Sequence, residues 1–159
     1  MSAALAFYDM GIEGRIVTID PNLPKSLNDL RQSIPQQLLR YIDPRQGTSQ
    51  EWLPKLNESF LMVYIDGDHS YEGTKHDIVN SVGKCDAIML LDDYHLPTKD
   101  DPGIKCNKAI DEFDWIEAGF AEPELSIQDR RIFLDDRQLP DDKTDYGQVI
   151  CMRNSITGD

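Results

Sequence analysis

Aspartates stand at the ends of three short apolar segments of this 159-residue chain, where they could bind a cation or a polar ligand. They are Asp20 after the run 15–20, Asp66 after the run 60–66, and Asp92 with Asp93 after the run 87–93. In an open α/β sheet, ligands bind beyond the carboxyl ends of the strands, so these side chains are expected to converge. Carboxylate oxygens are the ligands that Mg²⁺ and Ca²⁺ prefer, and close carboxylates repel one another unless a cation or proton neutralises them. The pattern therefore predicts a divalent metal site at Asp66, Asp92 and Asp93.

Two histidines follow these strand ends. His69 lies three residues after Asp66, where a neutral imidazole could act as a general base; the alternative is a helix-cap or surface histidine. His95 lies two residues after Asp93 and could orient a substrate or simply line the loop. For Asp20 the alternatives are a ribose-binding carboxylate and a turn-forming residue before Pro21.

The apolar segments indicate the elements that carry these residues. Each is nearly continuous in apolar residues, which is typical of strands covered on both faces. A weaker strand is predicted over 38–42 and a final strand over 148–152. Helices are predicted over 3–9, which Gly11 and Gly14 close, over 70–82, where Ser70 is the N-cap, and over 103–115. An exposed hairpin or loop is predicted over 137–145. This alternation predicts an α/β fold with a doubly wound, mostly parallel sheet flanked by helices, in a single domain over residues 1–159.

Composition narrows the function classes. The 16 basic and 29 acidic side chains give a formal net charge of -13, which disfavours a nucleic-acid or membrane partner. The three cysteines form no CxxC pair, which argues against a disulfide framework or a structural zinc site, and Cys85 and Cys151 are expected to be buried thiols. Without a membrane-spanning or signal segment, the expected location is the cytoplasm.

The segment Phe60–Ile78 closely resembles the fourth-strand region of class I S-adenosylmethionine-dependent methyltransferases, specifically methyltransferase family 24. Residues 90–95 resemble its fifth-strand motif, 103–113 the helix that follows, and 14–20 the second strand with its ribose-binding acid. The resemblance implies a Rossmann-like fold, S-adenosylmethionine as cofactor, and O-methylation of a small hydroxylated metabolite with divalent-metal assistance.

The resemblance also implies roles for individual residues. Related metal-dependent enzymes bind Mg²⁺ or Ca²⁺ at positions that match Asp66, Asp92 and Asp93, and several have a catalytic lysine at the position of His69. The metal would lower the pKa of a substrate hydroxyl and hold it in line with the sulfonium methyl group. The cofactor contacts implied are Asp20, Asp66 and His69, together with Thr48 and Ser49 in the loop near the adenine, where Thr48 replaces the usual aspartate.

One family feature has no match in the sequence. Family members open with a strand and a glycine-rich turn, and no such turn precedes Asp20, which predicts a truncated domain that binds the cofactor weakly at best. A methyltransferase-like domain that folds, for example as a homodimer, but does not turn over is therefore an alternative. The Asp66–Asp68 spacing also resembles that of aspartate-nucleophile, Mg²⁺-dependent phosphohydrolases, a further alternative. Nothing in the sequence names the methyl acceptor.

Overall fold

The computed structural model describes residues 2–23, 28, 32, 34–94, 105–126 and 147–154. His95, the beginning of the predicted helix 103–115 and the predicted loop 137–145 lie outside these ranges. Contacts between residues divide the chain into two compact units, Met1–Leu56 and Asn57–Asp159. Within the described ranges, no helix has the length and apolar character needed to cross a membrane.

In its described residues the first unit contains a parallel pair of strands and several helices. Its elements are α1 (Ser2–Met10), β1 (Ile16–Asp20), α2 (Gln36–Leu39), β2 (Ile42–Gln46) and α3 (Ser49–Trp52), which a 3₁₀ turn (Leu53–Lys55) extends. In the β1–β2 pair, Ile16 lies opposite Ile42 and Asp20 opposite Gln46. The predicted strand 15–20 is thus confirmed, starting one residue later.

The predicted strand 38–42 is wrong except at its last residue, because Leu38 and Leu39 end α2. Leu38 and Tyr41 are both buried in one small apolar cluster with Ala4 and Ile34. Two residues three apart reach the same side of the chain in a helical turn, whereas in a strand they would point to opposite faces. Packing against α1 therefore favours the helical conformation here.

The predicted helix 3–9 is confirmed as α1, and two glycines accompany its end. Gly11 has a φ of 62°, and the N–H groups of Gly11 and Ile12 donate to the carbonyls of Tyr8 and Phe7 at 3.2 and 2.9 Å. This is the Schellman arrangement, which satisfies the last helical carbonyls. At Gly14 a Cβ atom would lie 2.6 Å from the Phe7 ring, so the ring would have to shift to admit any other residue.

The described residues of the second unit form a four-stranded sheet with helices. Its elements are β3 (Phe60–Ile65), α4 (Tyr71–Ser81), β4 (Cys85–Tyr94), α5 (Cys106–Asp111), β5 (Glu124–Ser126) and β6 (Gly147–Met152). The strand order is β3-β4-β6-β5; β3 and β4 are parallel, whereas β6 is antiparallel to both of its neighbours. The predicted strands 60–66, 87–93 and 148–152 and the predicted helix 70–82 are confirmed within a few residues.

Helix α5 is shorter than the predicted helix 103–115. The indole N–H of Trp115 donates to the carbonyl of Ile110 at 2.9 Å. That carbonyl would otherwise accept from the backbone N–H four residues later, so the bond helps to end the helix. Trp115 is thereby brought into the core, where it packs edge-on against Phe113 and Phe120.

The core of the second unit lies between the sheet and its helices. Its fully buried members include Ile78, Met89, Leu91, Ile110, Phe120 and Val149. Cys85 and Cys151 belong to the same cluster and Cys106 is also buried, and all three are free thiols, as predicted for Cys85 and Cys151. Burial raises the pKa of Cys151 to about 12, so this thiol stays protonated and unreactive.

Ser70 begins α4 as its N-cap. Its hydroxyl oxygen accepts from the N–H of Gly73 at 3.1 Å, and its O–H donates to Asp68 at 2.9 Å. We expect Ser70→Ala to lower the free energy of unfolding by about 1 kcal/mol, measured by urea denaturation. Ser49→Ala is the control, because the Ser49 hydroxyl makes only a 3.4 Å contact with neighbouring Gln50. Equal stability losses in both variants would show that the cap contributes nothing.

Candidate active site

The carboxyl ends of β3 and β4 lie side by side. The two strands are parallel and keep one register from Met62 opposite Ile88 to Ile65 opposite Leu91. Asp66 follows directly after the first of these residues, and Asp92 and Asp93 after the second. Asp66, Asp92 and Asp93 therefore stand at neighbouring ends of two strands of one sheet. Asp20 belongs to the first unit, and its predicted convergence with them stays a prediction.

A β-bulge determines where the Asp93 side chain lies. Between the pairs Leu91–Val149 and Tyr94–Gly147, β4 advances by three residues and β6 by two, so β4 contains one extra residue. Asp93 takes a φ of 55°, in the left-handed region, which aspartate adopts more readily than most residues. In a regular strand Asp92 and Asp93 would point to opposite faces, and the bulge changes this alternation.

The structure brings Asp66, His69 and Asp93 together. His69 Nε2 lies 3.0 Å from Asp93 Oδ2 and 3.6 Å from Asp66 Oδ1. The side chains of Asp66, His69 and Asp93 are 49%, 37% and 25% exposed, so a ligand can reach them. Because a carboxylate only accepts, a proton on Nε2 would face Asp93 at this short contact. A His69 ring with its single proton on Nε2 would have Nδ1 as an acceptor.

Asp92 is held by two other groups. The Tyr64 hydroxyl donates to one of its oxygens, and the N–H of Asp93 donates to the other at 2.9 Å. Burial and the bond to Asp92 raise the pKa of Tyr64 well above its usual value, so the phenol remains a donor. The structure thus does not place Asp92 in the cluster of Asp66, His69 and Asp93, and its role as a metal ligand stays a prediction.

The sequence analysis missed Tyr64. In the β3–β4 register Tyr64 lies opposite Leu90, two residues before Asp92. Side chains in this diagonal relation on adjacent strands are within reach when one of them is long. The predicted parallel pairing could therefore have indicated the contact, because it places the Tyr64 phenol next to Asp92.

A divalent cation at this cluster stays a prediction. One possible ligand atom from each of Asp66, His69 and Asp93 lies within 4.8 Å of the other two. The two carboxylates suit Mg²⁺ or Ca²⁺, whereas imidazole ligation favours transition metals such as Mn²⁺ or Zn²⁺.

The predicted site residues of the first unit lie at the ends of its two strands. Asp20 Oδ1 accepts from the N–H of Asn22 at 2.7 Å, which is the turn-forming alternative considered for this residue. Thr48 caps α3: its hydroxyl accepts from the N–H of Glu51 at 3.3 Å, and the Glu51 carboxylate accepts from the N–H of Thr48 at 2.9 Å. The cofactor roles of Asp20, Thr48 and Ser49 stay predictions.

Gly47 makes the turn between β2 and α3 possible. Its φ of 138° is unfavourable for other residues, and an added Cβ atom would lie 2.5 Å from Glu51 Oε2. Glycine therefore lets Thr48 form its reciprocal bonds with Glu51 directly after the strand. The predicted loop after a strand at 47–49 is thus present in the structure.

The family model of a methyltransferase domain, methyltransferase family 24, matches residues 1–94. This match covers more than half of the chain, and the chain therefore belongs to this family. The resemblance stated from the sequence is confirmed. Among curated proteins, none matches the sequence.

Solved structures show the same fold. An O-methyltransferase from Bacillus cereus in complex with SAH has a TM-score of 0.61 at 13% identity, covering 89% of this chain and 63% of that one. Cofactor-bound Rv0187 from MTB has a TM-score of 0.61 at 15% identity, with 96% and 67% covered. The O-methyltransferase TomG from Streptomyces achromogenes, in complex with SAM, has a TM-score of 0.54 at 13% identity, with 89% and 62% covered.

These similarities confirm the predicted α/β, Rossmann-like methyltransferase fold. The chain spans about two thirds or less of the length of each of these three proteins. At 11–15% identity the likeness defines the fold and not the substrate.

Proposed function

We propose that this chain takes part in S-adenosylmethionine-dependent methyl transfer to an oxygen atom of a small hydroxylated metabolite. The observation that carries the proposal is the 3.0 Å contact between His69 and Asp93, next to Asp66 at the carboxyl ends of two parallel strands. A base oriented by a carboxylate is what the deprotonation of a hydroxyl group requires. Membership of a methyltransferase family supplies the reaction class.

In the proposed reaction, His69 accepts the proton of the acceptor hydroxyl at Nδ1. The substrate oxygen then forms a bond to the methyl carbon as the carbon–sulfur bond of the cofactor breaks, which leaves S-adenosylhomocysteine. Asp93, whose Oδ2 lies 3.0 Å from Nε2, would hold the ring orientation and stabilise the imidazolium that forms. Holding the oxygen in line with the methyl group supplies the remaining acceleration.

A divalent cation is the second part of the proposal. Asp66 and Asp93 would hold the ion, with Asp92 as the further ligand predicted from the sequence. Mg²⁺ and Ca²⁺ are the predicted ions, and Mn²⁺ is compared with them in the assay below. When bound, the ion supplies positive charge that lowers the pKa of a substrate hydroxyl. His69 retains its role as base in this arrangement.

Metal removal tests this part of the proposal. We expect treatment with EDTA to lower the rate of methyl transfer by about tenfold or more, because the charge that assists hydroxyl ionisation is lost. Adding back Mg²⁺, Ca²⁺ or Mn²⁺ in parallel titrations, followed by rate measurements, identifies the ion. A rate that EDTA leaves unchanged would exclude metal assistance.

Cofactor contacts are proposed for each unit separately. In the first unit, Asp20 would accept the ribose hydroxyls, and Thr48 and Ser49 would lie near the adenine. In the second unit, Asp66 and His69 would contact the reactive end of the cofactor. The Asp20 carboxylate can accept hydrogen bonds from a sugar diol, although Oδ1 already accepts one from the N–H of Asn22.

Isothermal titration with S-adenosylmethionine tests the cofactor proposal. The sequence predicts weak binding at best, and submicromolar affinity in a monomer would contradict that prediction. We expect Asp20→Asn to weaken binding by about tenfold or more, because hydrogen bonds to a charged acceptor are lost. An affinity unchanged by Asp20→Asn would remove Asp20 from the cofactor site.

The partner and location proposals follow from charge and family. We propose a small-molecule substrate, a cytoplasmic location and no nucleic-acid partner, since a net charge of -13 repels phosphate backbones. A homodimer remains a proposal that sedimentation can test. The catalytically inactive alternative would be supported by cofactor binding without turnover, and the phosphohydrolase alternative by Mg²⁺-dependent release of phosphate from an aryl phosphate.

A further inference from the structure

We infer that the beginning of α5 positions the His69–Asp93 pair, with Cys106 as the positioning residue for Asp93. Two neighbouring residues make the contacts. The N–H of Lys105 donates to the backbone carbonyl of His69 at 2.9 Å, and the Cys106 thiol donates to the backbone carbonyl of Asp93 at 3.0 Å. The backbones of His69 and Asp93 are thus both held by two consecutive residues at the beginning of α5.

Asp93 needs such support because its backbone is in the left-handed region. A φ of 55° at a residue other than glycine is stable only when surrounding contacts favour it. The bulge also interrupts the regular pairing of β4 with β6 between Leu91 and Tyr94. The bond from Cys106 therefore supports Asp93 where the strand pairing is irregular.

Cys106 is suited to this role by its burial. The residue is 2% exposed and begins α5 beside buried Asn107, Ala109 and Ile110. A thiol buried in such surroundings stays protonated, so it keeps its S–H donor and is protected from reaction. Sequence spacing gave no indication of this contact, because Cys106 lies 13 residues beyond Asp93.

The catalytic part of this inference rests on the proposed function, whereas the structural part does not. If Cys106 positions Asp93, its loss should alter the 3.0 Å contact between Asp93 and the His69 ring even in a protein that transfers no methyl group. Two readouts therefore separate the claims: ring ¹⁵N chemical shifts of His69 from long-range ¹H–¹⁵N NMR, and the rate of methyl transfer.

The variants are Cys106→Ala, Cys106→Ser and Cys151→Ala. Serine keeps a donor of similar size, whereas alanine removes it. Cys151 is the matched control, since it is fully buried in the core of the same unit and lies on β6, outside the site. All three are measured in the full chain, with unfolding curves to separate loss of fold from loss of positioning, and the ring signals are assigned with His69→Gln.

We expect Cys106→Ala to move the His69 ring shifts towards those of a histidine without a carboxylate partner. We expect it to lower kcat by about threefold to tenfold at unchanged KM, the effect of losing one hydrogen bond. Cys106→Ser should restore both readouts, and Cys151→Ala should change neither. Ring shifts that are the same in Cys106→Ala and Cys151→Ala, or a Cys106→Ser variant that behaves like the alanine variant, would overturn the inference. Altered shifts without any methyl transfer by the unmodified chain would instead count against the proposed function alone.

Discussion

Replacing His69 by glutamine is expected to lower the rate of methyl transfer by about 10²–10⁴-fold, the usual contribution of a general base. Glutamine keeps an amide N–H that can donate to Asp93, so the neighbouring carboxylate is not left without a donor. It cannot accept a proton from the substrate at neutral pH. The loss should therefore appear in the rate of the chemical step, measured in single-turnover assays with saturating labelled S-adenosylmethionine.

His76→Gln is the control for this variant. His76 lies within α4. The side-chain amide of Asn80 donates a hydrogen bond to the backbone carbonyl of His76 at 2.8 Å. The same chemical change at this position should leave the rate within about twofold, since the half-buried His76 side chain contacts Asn80 and is not part of the cluster of Asp66, His69 and Asp93. Equal rates in His69→Gln and His76→Gln would remove His69 from the mechanism.

Replacing Gly73 by alanine is expected to lower the free energy of unfolding by about 1–3 kcal/mol, as overpacking does. Gly73 is buried in the first turn of α4, and an added Cβ atom would lie 2.6 Å from Asp68 Cβ and Cγ. Asp68 cannot move freely, because its carboxylate accepts from both the N–H and the hydroxyl of Ser70 at 3.0 and 2.9 Å. The displacement would also reach His69, the next residue in the chain.

Gly83→Ala is the control for the glycine substitution. A Cβ atom at Gly83 would meet nothing within 4 Å. Alanine there should be neutral or stabilise by up to about 1 kcal/mol, because it reduces the freedom of the unfolded chain. Chemical denaturation of both variants checks the comparison, and a Gly73→Ala variant as stable as the unmodified protein would contradict the packing that we describe.

Most of the fold could be predicted from the sequence because the strands that carry the site are short, apolar and rich in β-branched residues. The runs ending at Asp20, Asp66 and Asp93 proved to be strands, and Ser70 proved to be the N-cap of α4. The predicted strand 38–42 was wrong because its apolar residues are compatible with a helical turn as well as with a strand. Packing of Leu38 and Tyr41 in one cluster decides between them.

The detailed geometry of the site could not be predicted because it depends on contacts between distant segments. From the sequence, Asp92 and Asp93 were predicted as equivalent metal ligands. The bulge in β4 separates them: Asp93 meets His69, whereas Asp92 accepts from Tyr64. Likewise, the contact of Cys106 with the Asp93 carbonyl depends on how α5 packs, which no local pattern indicates.

The central claim is that this chain supports methyl transfer from S-adenosylmethionine to an oxygen atom. The most direct measurement incubates the purified full chain with methyl-labelled cofactor and a panel of catechols, sugars and hydroxylated metabolites, and locates the label by mass spectrometry. We expect label on the oxygen of at least one acceptor with the unmodified chain, and a strong loss of that product with His69→Gln. Cofactor binding without transfer to any acceptor, or transfer that His69→Gln leaves unchanged, would contradict it.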